Sequence, residues 1–268
     1  MTVPPARLDE LKAFANRLAD VAGEIVRSYH FKDRTEIEVK PDGSPVTVAD
    51  KECERRLRAL IRETYPDHGI VGEEFGSEND GAEFVWILDP IDGTKSFIPR
   101  VPLYGILFGL LHRGKPLLGV IDQPVLRERV LGDGATTLFN GRPVRVRDGV
   151  TLKDALLLTT DLGNIRKAHG EAGFRRLEDA CGVFRTWGDC YGHLMVAAGR
   201  ADIMADPLLN PWDLLPLIPI LEGAGAIVTD WEGRDPLAGV PMNGALGIVA
   251  AAPALHAEAL AILAARRP

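Results

Sequence analysis

The sequence predicts a mixed α+β / α/β protein in which a largely antiparallel half precedes an alternating half. Three observations support this fold class: two amphipathic helices open the chain, several apolar strands then follow one another, and strands alternate with helices beyond about residue 155. The chain has 268 residues, 46% of them hydrophobic, and is therefore long enough to bury a large core without disulfide or metal staples.

Two helices are predicted near the start of the sequence. Apolar residues recur at helical spacing over 7–29. After a weakly alternating strand at 36–39 and a turn-rich connector at 40–45, a second helix begins near Asp50 and ends at Pro66. Asp50 stands where a helix N-cap would lie, which is its ordinary structural explanation.

Strands dominate the middle of the chain, and strands alternate with helices in the second half. The first strands, separated by Gly or Pro, are predicted at 84–88, 104–111, 117–122 and 128–131. The later strands are predicted at 155–160, 183–186, 202–205, 226–229 and 246–250, and the later helices at 165–180, 190–199, 212–224 and 253–266. The pattern changes near 139–143, which divides the chain into an N-terminal part, 1–140, and a C-terminal part, 141–268.

One predicted helix, 212–224, conflicts with local rules because it contains two prolines. Pro216 can occupy the first turn, where its missing N–H matters little, but Pro219 is expected to kink or delay the helix. Such conflicts are common at functional or strained sites.

Charge and composition exclude several classes of function. The 31 Lys and Arg against 38 Asp and Glu give a net charge of −7, and the basic residues are scattered, so no nucleic-acid partner is expected. The 3 cysteines show no CxxC spacing, so neither a disulfide framework nor a zinc knuckle is expected. No uncharged run approaches the ~18 residues of a membrane span, and charges within 1–18 exclude a signal peptide. We expect a soluble, cytoplasmic protein.

The residues that indicate chemistry are acids at the ends of predicted strands and helices. Glu73 follows a short apolar strand, Asp89 and Asp92 flank Pro-Ile and lead into a Gly-Thr turn, and Asp213 begins a later helix. Each alone is explained as a turn or capping residue. Together their charges would require cations, and oxygen ligands suit Mg²⁺. The N–H groups of the Gly-Thr turn can hold a phosphate oxygen.

Other hydrolase templates do not fit the sequence. The acids follow the pattern D-x-x-D-G-T, which is one residue longer than the D-x-D-G-T of a haloacid-dehalogenase-type nucleophile. There is no G-x-S-x-G elbow, no HxxxH or HExxH pair, and no GxxxxGK[ST] phosphate loop. A serine hydrolase, a zinc hydrolase and a P-loop enzyme are therefore not expected.

In combination, these motifs resemble the inositol monophosphatase superfamily. The segments that carry the resemblance are Gly72-Glu73-Glu74, WILDPIDGTKSF at 86–97, Pro211-Trp212-Asp213 and EGAGA at 222–226. The resemblance runs from about residue 40 to residue 250. It implies a layered αβαβα sandwich, a homodimer in many members, lithium sensitivity, and two or three Mg²⁺ ions per active site.

The resemblance also implies which residues hold the metal. Glu73, Asp89 and the carbonyl of Ile91 would bind one Mg²⁺, and Asp89, Asp92 and Asp213 would bind the second. The implied reaction is hydrolysis of a small phosphate ester by a metal-activated water, without a phosphoenzyme.

Phosphate and water binding are assigned by the same resemblance. Gly93 and Thr94 would bind phosphate through their backbone N–H groups, and the Thr94 hydroxyl would help to orient the attacking water. Asp50 would pair with this threonine, so that Asp50, Glu73 and Thr94 are the predicted catalytic residues. Lys40 falls where the family often has a lysine near the site.

The predicted substrate depends on two further acids, Asp189 and Asp206. WGDCYG at 187–192 and TDWEG at 229–233 resemble the bacterial histidinol-phosphatase branch of the superfamily. Asp189 stands where inositol-type members have small residues, and Asp206 where the family places an acidic substrate contact. Two carboxylates beyond the metals favour a leaving group that carries an ammonium.

Three alternatives stay open. Asp189 can instead cap the helix that follows it. The substrate can be inositol 1-phosphate or a broader range of sugar phosphates. The chain can also be a catalytically silent regulator, although every metal-binding acid is present.

Overall fold

Helices and strands occur in the predicted order along the chain. The computed structural model describes residues 3–32, 37–39, 45–238 and 246–265. The helices in these ranges are α1 (Pro5–His30), α2 (Val48–Thr64), α3 (Thr94–Phe97), α4 (Leu162–Ala168), α5 (Glu171–Ala180), α6 (Asp189–Ala197), α7 (Pro211–Gly223) and α8 (Pro253–Ala264).

The strands of the same ranges belong to three sheets. They are β1 (Ile37–Val39), β2 (Pro45–Thr47), β3 (Gly69–Gly72), β4 (Gly76–Glu78), β5 (Phe84–Asp92), β6 (Gly105–His112), β7 (Lys115–Gln123), β8 (Glu128–Gly132), β9 (Thr137–Phe139), β10 (Arg142–Val144), β11 (Leu156–Leu158), β12 (Val183–Arg185), β13 (Ile203–Leu209), β14 (Ile227–Asp230) and β15 (Leu246–Ala251). Among the described residues, β1 and β2 pair only with each other.

Eight strands of the first half form one sheet in the order β10-β9-β8-β7-β6-β5-β3-β4. All neighbours are antiparallel except β3 and β5, which run parallel. The predicted antiparallel character of this half is confirmed. The parallel pair brings the ends of β3 and β5 to the same edge, where the predicted metal-binding acids follow.

The second sheet has five strands in the order β12-β11-β13-β15-β14. β11 is parallel to both of its neighbours, whereas β15 is antiparallel to both of its own. Parallel neighbours need crossover connections. Helices α4 and α5 connect β11 to β12, and α6 connects β12 to β13.

The described elements stack in five layers. α1 and α2 pack on one face of the eight-stranded sheet, and α6 and α7 lie between the two sheets. α4, α5 and α8 cover the outer face of the five-stranded sheet. The αβαβα sandwich is confirmed. No helix in the described ranges is long and apolar enough to cross a membrane.

A row of glycines lets α7 lie close to the eight-stranded sheet. Gly109, Gly119 and Gly132 are directly paired across β6, β7 and β8. A Cβ on Gly119 would lie 1.9 Å from the carbonyl oxygen of Pro216, and one on Gly132 would lie 2.4 Å from the Cα of Ile220. The glycines therefore form the groove in which the helix with two prolines sits.

The expectation that Pro219 would delay this helix is wrong, because α7 begins at Pro211 and continues through both prolines to Gly223, whereas the expected kink stays a prediction. Each interior proline costs about 3 kcal/mol relative to alanine. Burial of a large apolar side chain contributes about 1.5–3 kcal/mol, and every residue over 214–221 is buried between the two sheets. Tertiary packing therefore outweighs the local preference.

The single helix predicted over 165–180 is also wrong, because the structure has α4 and α5 there. Gly170 separates them with a φ of 71°, which lies in the left-handed region and cannot continue a right-handed helix.

The eight-stranded sheet ends at Val144 and the next strand begins at Leu156. The division of the chain at 140/141 stays a prediction.

Candidate active site

The predicted metal-binding acids lie together beside the ends of β3 and β5 and the start of α7. Glu73 directly follows β3, Asp89 and Asp92 lie at the end of β5, and Asp213 lies in the first turn of α7. One carboxylate oxygen from each of the three aspartates lies within 4.8 Å of the others. All four acids line a cavity of about 360 Å³.

An irregularity at the end of β5 directs both of its aspartates to this cavity. Residues three apart in a regular strand point to opposite faces. The pairing of β5 with β6 shifts between Asp89 and Asp92, and Asp89 Oδ1 accepts the N–H of Ile91 at 3.0 Å. Such bulges re-aim side chains and tolerate a proline, here Pro90.

Asp213 and Asp50 both close capping boxes, each as the third residue of its helix. Asp213 accepts the backbone N–H of the N-cap Asn210 at 2.8 Å. Asp50 accepts the N–H of the N-cap Thr47 at 2.8 Å and its hydroxyl at 2.5 Å. The expectation that either acid is itself the N-cap is wrong by three positions, because the cap needs an extended backbone that Thr47 and Asn210 supply.

Glu73 is presented by a turn that a buried ion pair holds in place. Glu54 of α2 accepts the backbone N–H groups of Glu74 and Phe75 at 2.8 and 3.2 Å, and the Nε of Arg58 at 2.8 Å. Sequence reasoning missed Glu54 and Arg58. The available signal was a charge pair at i, i+4 on the apolar face of a helix, where an unpaired charge would not be tolerated.

The Gly-Thr turn lies between β5 and α3. Gly93 has a φ of 91°, in the left-handed region, and Thr94 begins α3. The Thr94 hydroxyl donates to the carbonyl of Ile91 at 3.1 Å, whereas Asp50 is occupied by Thr47. Helix α3 nevertheless packs beside β2, the strand that leads to Asp50. The pairing of Asp50 with Thr94 stays a prediction.

The acids perturb one another's protonation. Burial raises the pKa of Asp89 well above its usual value, and the charges of Glu73, Asp92 and Asp213 raise it further. Burial and the charge of Asp213 act in the same way on the pKa of Asp92. Burial is also the first cause that raises the pKa of Asp213, to about 7. Buried carboxylates this close require protons or cations, and an all-oxygen donor set fits a hard cation such as Mg²⁺.

Asp189 and Asp206 also line the cavity, and their contact with a substrate stays a prediction. The alternative that Asp189 caps the following helix is wrong. The N-cap of α6 is Gly188, and Asp189 is the first helical residue, with a φ of 50°. Burial and the charges of Asp92 and Asp206 raise the pKa of Asp189 well above its usual value.

Seven acids and one described base, Lys95, line the cavity. The Lys95 ammonium lies 3.9 Å from Asp161. Sequence reasoning did not assign Lys95, Asp161 or Thr160 to the site. Lys95 stands in the segment 86–97 without a predicted role, and Asp161 and Thr160 lie outside the segments that carry the resemblance. The predicted site residue Lys40 lies outside the described residues, so its role stays a prediction.

A five-layered sandwich with a carboxylate cluster beside a Gly-Thr turn defines a class of phosphoric monoester hydrolases. The chain belongs to the inositol monophosphatase family, whose family model matches residues 7–267. The resemblance inferred from the motifs is therefore confirmed.

Individual relatives differ in the substrate that their names give. The chloroplastic bifunctional phosphatase IMPL2 of Arabidopsis thaliana is 42% identical over 230 residues, which cover 85% of this chain and 66% of that longer protein. A histidinol-phosphatase of Chlorobaculum parvum is 38% identical over 221 residues, or 82% of this chain and 85% of the relative. The solved structure of an inositol monophosphatase from Zymomonas mobilis matches with a TM-score of 0.82 and 35% identity, over 95% of this chain and 98% of that one.

Proposed function

We propose that the protein is a Mg²⁺-dependent phosphomonoesterase. The observation that carries this proposal is the cluster of three carboxylate oxygens within 4.8 Å, beside a left-handed Gly-Thr turn. The groups that would hold the metal are Glu73, Asp89, the carbonyl of Ile91, Asp92 and Asp213. When bound, Mg²⁺ supplies Lewis-acid chemistry, because it offsets charge on the phosphoryl group and lowers the pKa of a water.

The protein's own groups bind the phosphate and orient the attack. The left-handed backbone of Gly93 leaves the N–H groups of the turn available for phosphate oxygens. The Thr94 hydroxyl and Asp50 are proposed to orient the water. Burial raises the pKa of Asp50 to about 6, and the charge of Glu73 raises it as well. A carboxylate with a pKa near neutrality can accept a proton at the working pH.

The metal and catalytic roles are tested by Asp89→Asn. Turnover should fall by about two orders of magnitude or more, since the charge at the centre of the cluster is lost. The measurement is Mg²⁺-dependent phosphate release, together with thermal unfolding to show that the variant folds. Asp179→Asn, an exposed acid of α5, is the matched control and should retain wild-type turnover. Near-wild-type turnover in Asp89→Asn would contradict the assignment of Asp89 to the metal site, whereas wild-type protein that releases no phosphate would favour a silent regulator.

We further propose that the substrate is histidinol phosphate, which is hydrolysed to histidinol and phosphate in histidine biosynthesis. Four of the seven cavity acids are assigned to the metals, and Lys95 pairs with Asp161. Asp189 and Asp206 then remain as two acids without a Lys or Arg ion pair among the described residues, although His193 Nε2 lies 3.3 Å from Asp206 Oδ2. An amine-bearing leaving group complements them through charge-assisted hydrogen bonds. The 38% identity to a histidinol-phosphatase supports the same choice.

Inositol 1-phosphate is the alternative substrate, and the match to a solved inositol monophosphatase favours it. Asp189→Asn distinguishes the two. If an ammonium is bound there, KM for histidinol phosphate should rise by about 10-fold or more, whereas KM for inositol 1-phosphate should change little. A uniform rise for both substrates would show that Asp189 does not recognise the amine.

Two further family properties are proposed for this chain. A homodimer would sediment at about twice the 29.1 kDa of one chain. Lithium should inhibit phosphate release, because Li⁺ would compete for the oxygen ligands of the metal site. A sedimentation mass of one chain would contradict the proposed homodimer, and phosphate release that is insensitive to lithium would contradict the proposed lithium inhibition.

A further inference from the structure

Thr160 joins the backbone of Asp189 to the carboxylate of Asp206, the two residues on which the proposed substrate preference depends. The backbone N–H of Asp189 donates to Thr160 Oγ1 at 2.8 Å, and Thr160 Oγ1 donates to Asp206 Oδ2 at 3.0 Å. The direction of these bonds is fixed, because an N–H can only donate and an ionised carboxylate can only accept. The single hydroxyl proton of Thr160 is therefore directed to Asp206.

The segment that presents Asp189 is packed directly on Thr160. Asp189 has a φ of 50°, in the left-handed region that disfavours residues other than glycine and needs support from its surroundings. A Cβ on Gly188 would lie 2.2 Å from the Cα of Thr160. The next N–H, that of Cys190, donates to Asp92 Oδ2 at 2.5 Å. The first turn of α6 is thus fixed at two consecutive N–H groups.

The two carboxylates have different neighbours. Asp189 Oδ2 would lie 3.0 Å from a Cβ on Gly93, so it lies against the proposed phosphate-binding turn. Asp206 is 2% exposed and lies on β13, where His193 Nε2 approaches its Oδ2 at 3.3 Å. Thr160 is the group that is hydrogen-bonded to both segments. Neither of its two hydrogen bonds goes to an acid assigned to the metals.

We propose that Thr160 is a positioning residue for substrate specificity. Its hydroxyl holds Asp189 and Asp206 at the spacing that receives a leaving group with a protonated amine. This inference rests on the proposed phosphomonoesterase function and deepens its substrate preference. Because neither hydrogen bond of Thr160 goes to an acid assigned to the metals, its loss is expected to change the binding of the amine substrate more than the chemistry at phosphorus.

The test compares Thr160→Val, which keeps the shape and removes the hydroxyl, with Thr160→Ser, which keeps the hydroxyl. In Thr160→Val, KM for histidinol phosphate should rise by about 10- to 100-fold, the effect of losing hydrogen bonds to charged groups, while kcat stays within about 3-fold. Both constants for inositol 1-phosphate should stay within about 3-fold, and Thr160→Ser should restore the wild-type KM.

Thr159→Val is the matched control for the loss of a neighbouring hydroxyl. Thr159 Oγ1 donates to the carbonyl of Ala205 at 2.7 Å, so it also joins the segment after β11 to β13, but its hydroxyl bonds to backbone only. This variant should lower the unfolding temperature and leave the ratio of the two substrates' kcat/KM unchanged. If Thr160→Val does not fold, Thr160→Ala replaces it in the same comparison.

The outcomes separate this inference from the proposed function. Equal losses on both substrates, no loss on either, or failure of Thr160→Ser to restore KM would overturn the positioning role. Wild-type protein that hydrolyses both esters but does not prefer histidinol phosphate would overturn the proposed substrate. Wild-type protein that releases no phosphate from either ester would overturn the proposed phosphomonoesterase function.

Discussion

The carboxylate of Asp213 has two roles, because it helps to cap the start of α7 and also belongs to the candidate metal site. It accepts the N–H of Asn210 in a capping box, and it lies in the cluster with Asp89 and Asp92. Capping needs only a hydrogen-bond acceptor, whereas the cluster creates repulsion that a cation relieves. The two roles can be separated by removing the charge and keeping an acceptor.

Asp213→Asn should therefore fold as a stable protein that has lost its response to Mg²⁺. Wild-type protein at a Mg²⁺ concentration 100 times Kd should gain about 2.7 kcal/mol in its free energy of unfolding. The variant should match or exceed the unfolding temperature of metal-free wild type and should show little further rise with Mg²⁺. The measurement is thermal unfolding with EDTA and with Mg²⁺. An unchanged Mg²⁺-induced rise in the variant would remove Asp213 from the metal site.

Some residues of the site could be predicted from local sequence, and others could not. Asp89 and Asp92 stand in a contiguous motif, and the structure brings both together with Asp213. Thr160 and Glu54 were missed, because their partners lie far away in sequence: Thr160 bonds to an acid 46 residues away and Glu54 to a backbone N–H 20 residues away. A single polar residue such as Thr160 carries no periodicity, so only the folded chain shows its partner, whereas Glu54 had a local signal in its i, i+4 pair with Arg58.

Elements pack through contacts that local preference does not encode, and the groove beneath α7 is the main example. Three glycines on three strands must be in register before the groove exists. A pattern of strands predicts the strands but not this register. The prolines of α7 therefore suggested an interrupted helix. Packing of α7 in the glycine groove and its burial between the two sheets stabilise a continuous helix instead.

Gly119→Ala should destabilise the protein by about 1–3 kcal/mol or more, because its Cβ would lie 1.9 Å from a backbone oxygen of α7 that cannot rotate away. Activity should fall as well, since Asp213 lies on the displaced helix. The control is Gly81→Ala, where a Cβ would meet nothing within 4 Å and the free energy of unfolding should change by less than about 0.5 kcal/mol. Urea unfolding measures both, and equal stability of the two variants would contradict the packing argument.

His68 connects the segment after α2 to β5, and it should make stability depend on pH. Its ring stacks on Tyr65 and Phe84, with centroids 4.5 and 5.0 Å away, and Nδ1 accepts the indole N–H of Trp86 at 3.1 Å. Burial lowers the pKa of His68 to about 4, and the charge of Arg7 lowers it further. The unfolded value is about 6.5. The folded protein thus binds fewer protons, and this contribution is complete above pH 6.5 and lost as the pH falls toward 4.

His68→Gln keeps an acceptor for Trp86 and removes the titration. After allowance for partial exposure, wild type should lose about 1–2 kcal/mol more than the variant between pH 7 and pH 4.5. Urea unfolding at the two pH values measures the difference. Identical losses in both proteins would show that His68 does not titrate in this window.

For the whole molecule, the net charge of −7 acquires a structural explanation. Seven acids and one described base line a single cavity. Two Mg²⁺ ions, as proposed, would add four positive charges, so −7 + 4 leaves −3. The excess acid is therefore concentrated where cations are proposed to bind, and the anionic substrate meets positive charge that the chain does not itself supply.

The layer order and the acid cluster of the whole molecule could be predicted because the motifs are contiguous and specific. The proposed substrate preference is different, because it would depend on the spacing of Asp189 and Asp206, and we propose that this spacing is set by Thr160, which lies just beyond the end of β11. A sequence gives the identity of such carboxylates, whereas their spacing depends on how β11, β13 and α6 pack.

The most direct measurement is kcat/KM for phosphate release from histidinol phosphate and from inositol 1-phosphate, on wild-type protein with saturating Mg²⁺. Two carboxylates that bind an ammonium should favour histidinol phosphate by about 10-fold or more, and EDTA should abolish both activities. Equal or lower kcat/KM for histidinol phosphate, or phosphate release that persists in EDTA, would contradict the proposed metal-dependent hydrolysis of an amine-bearing phosphate ester.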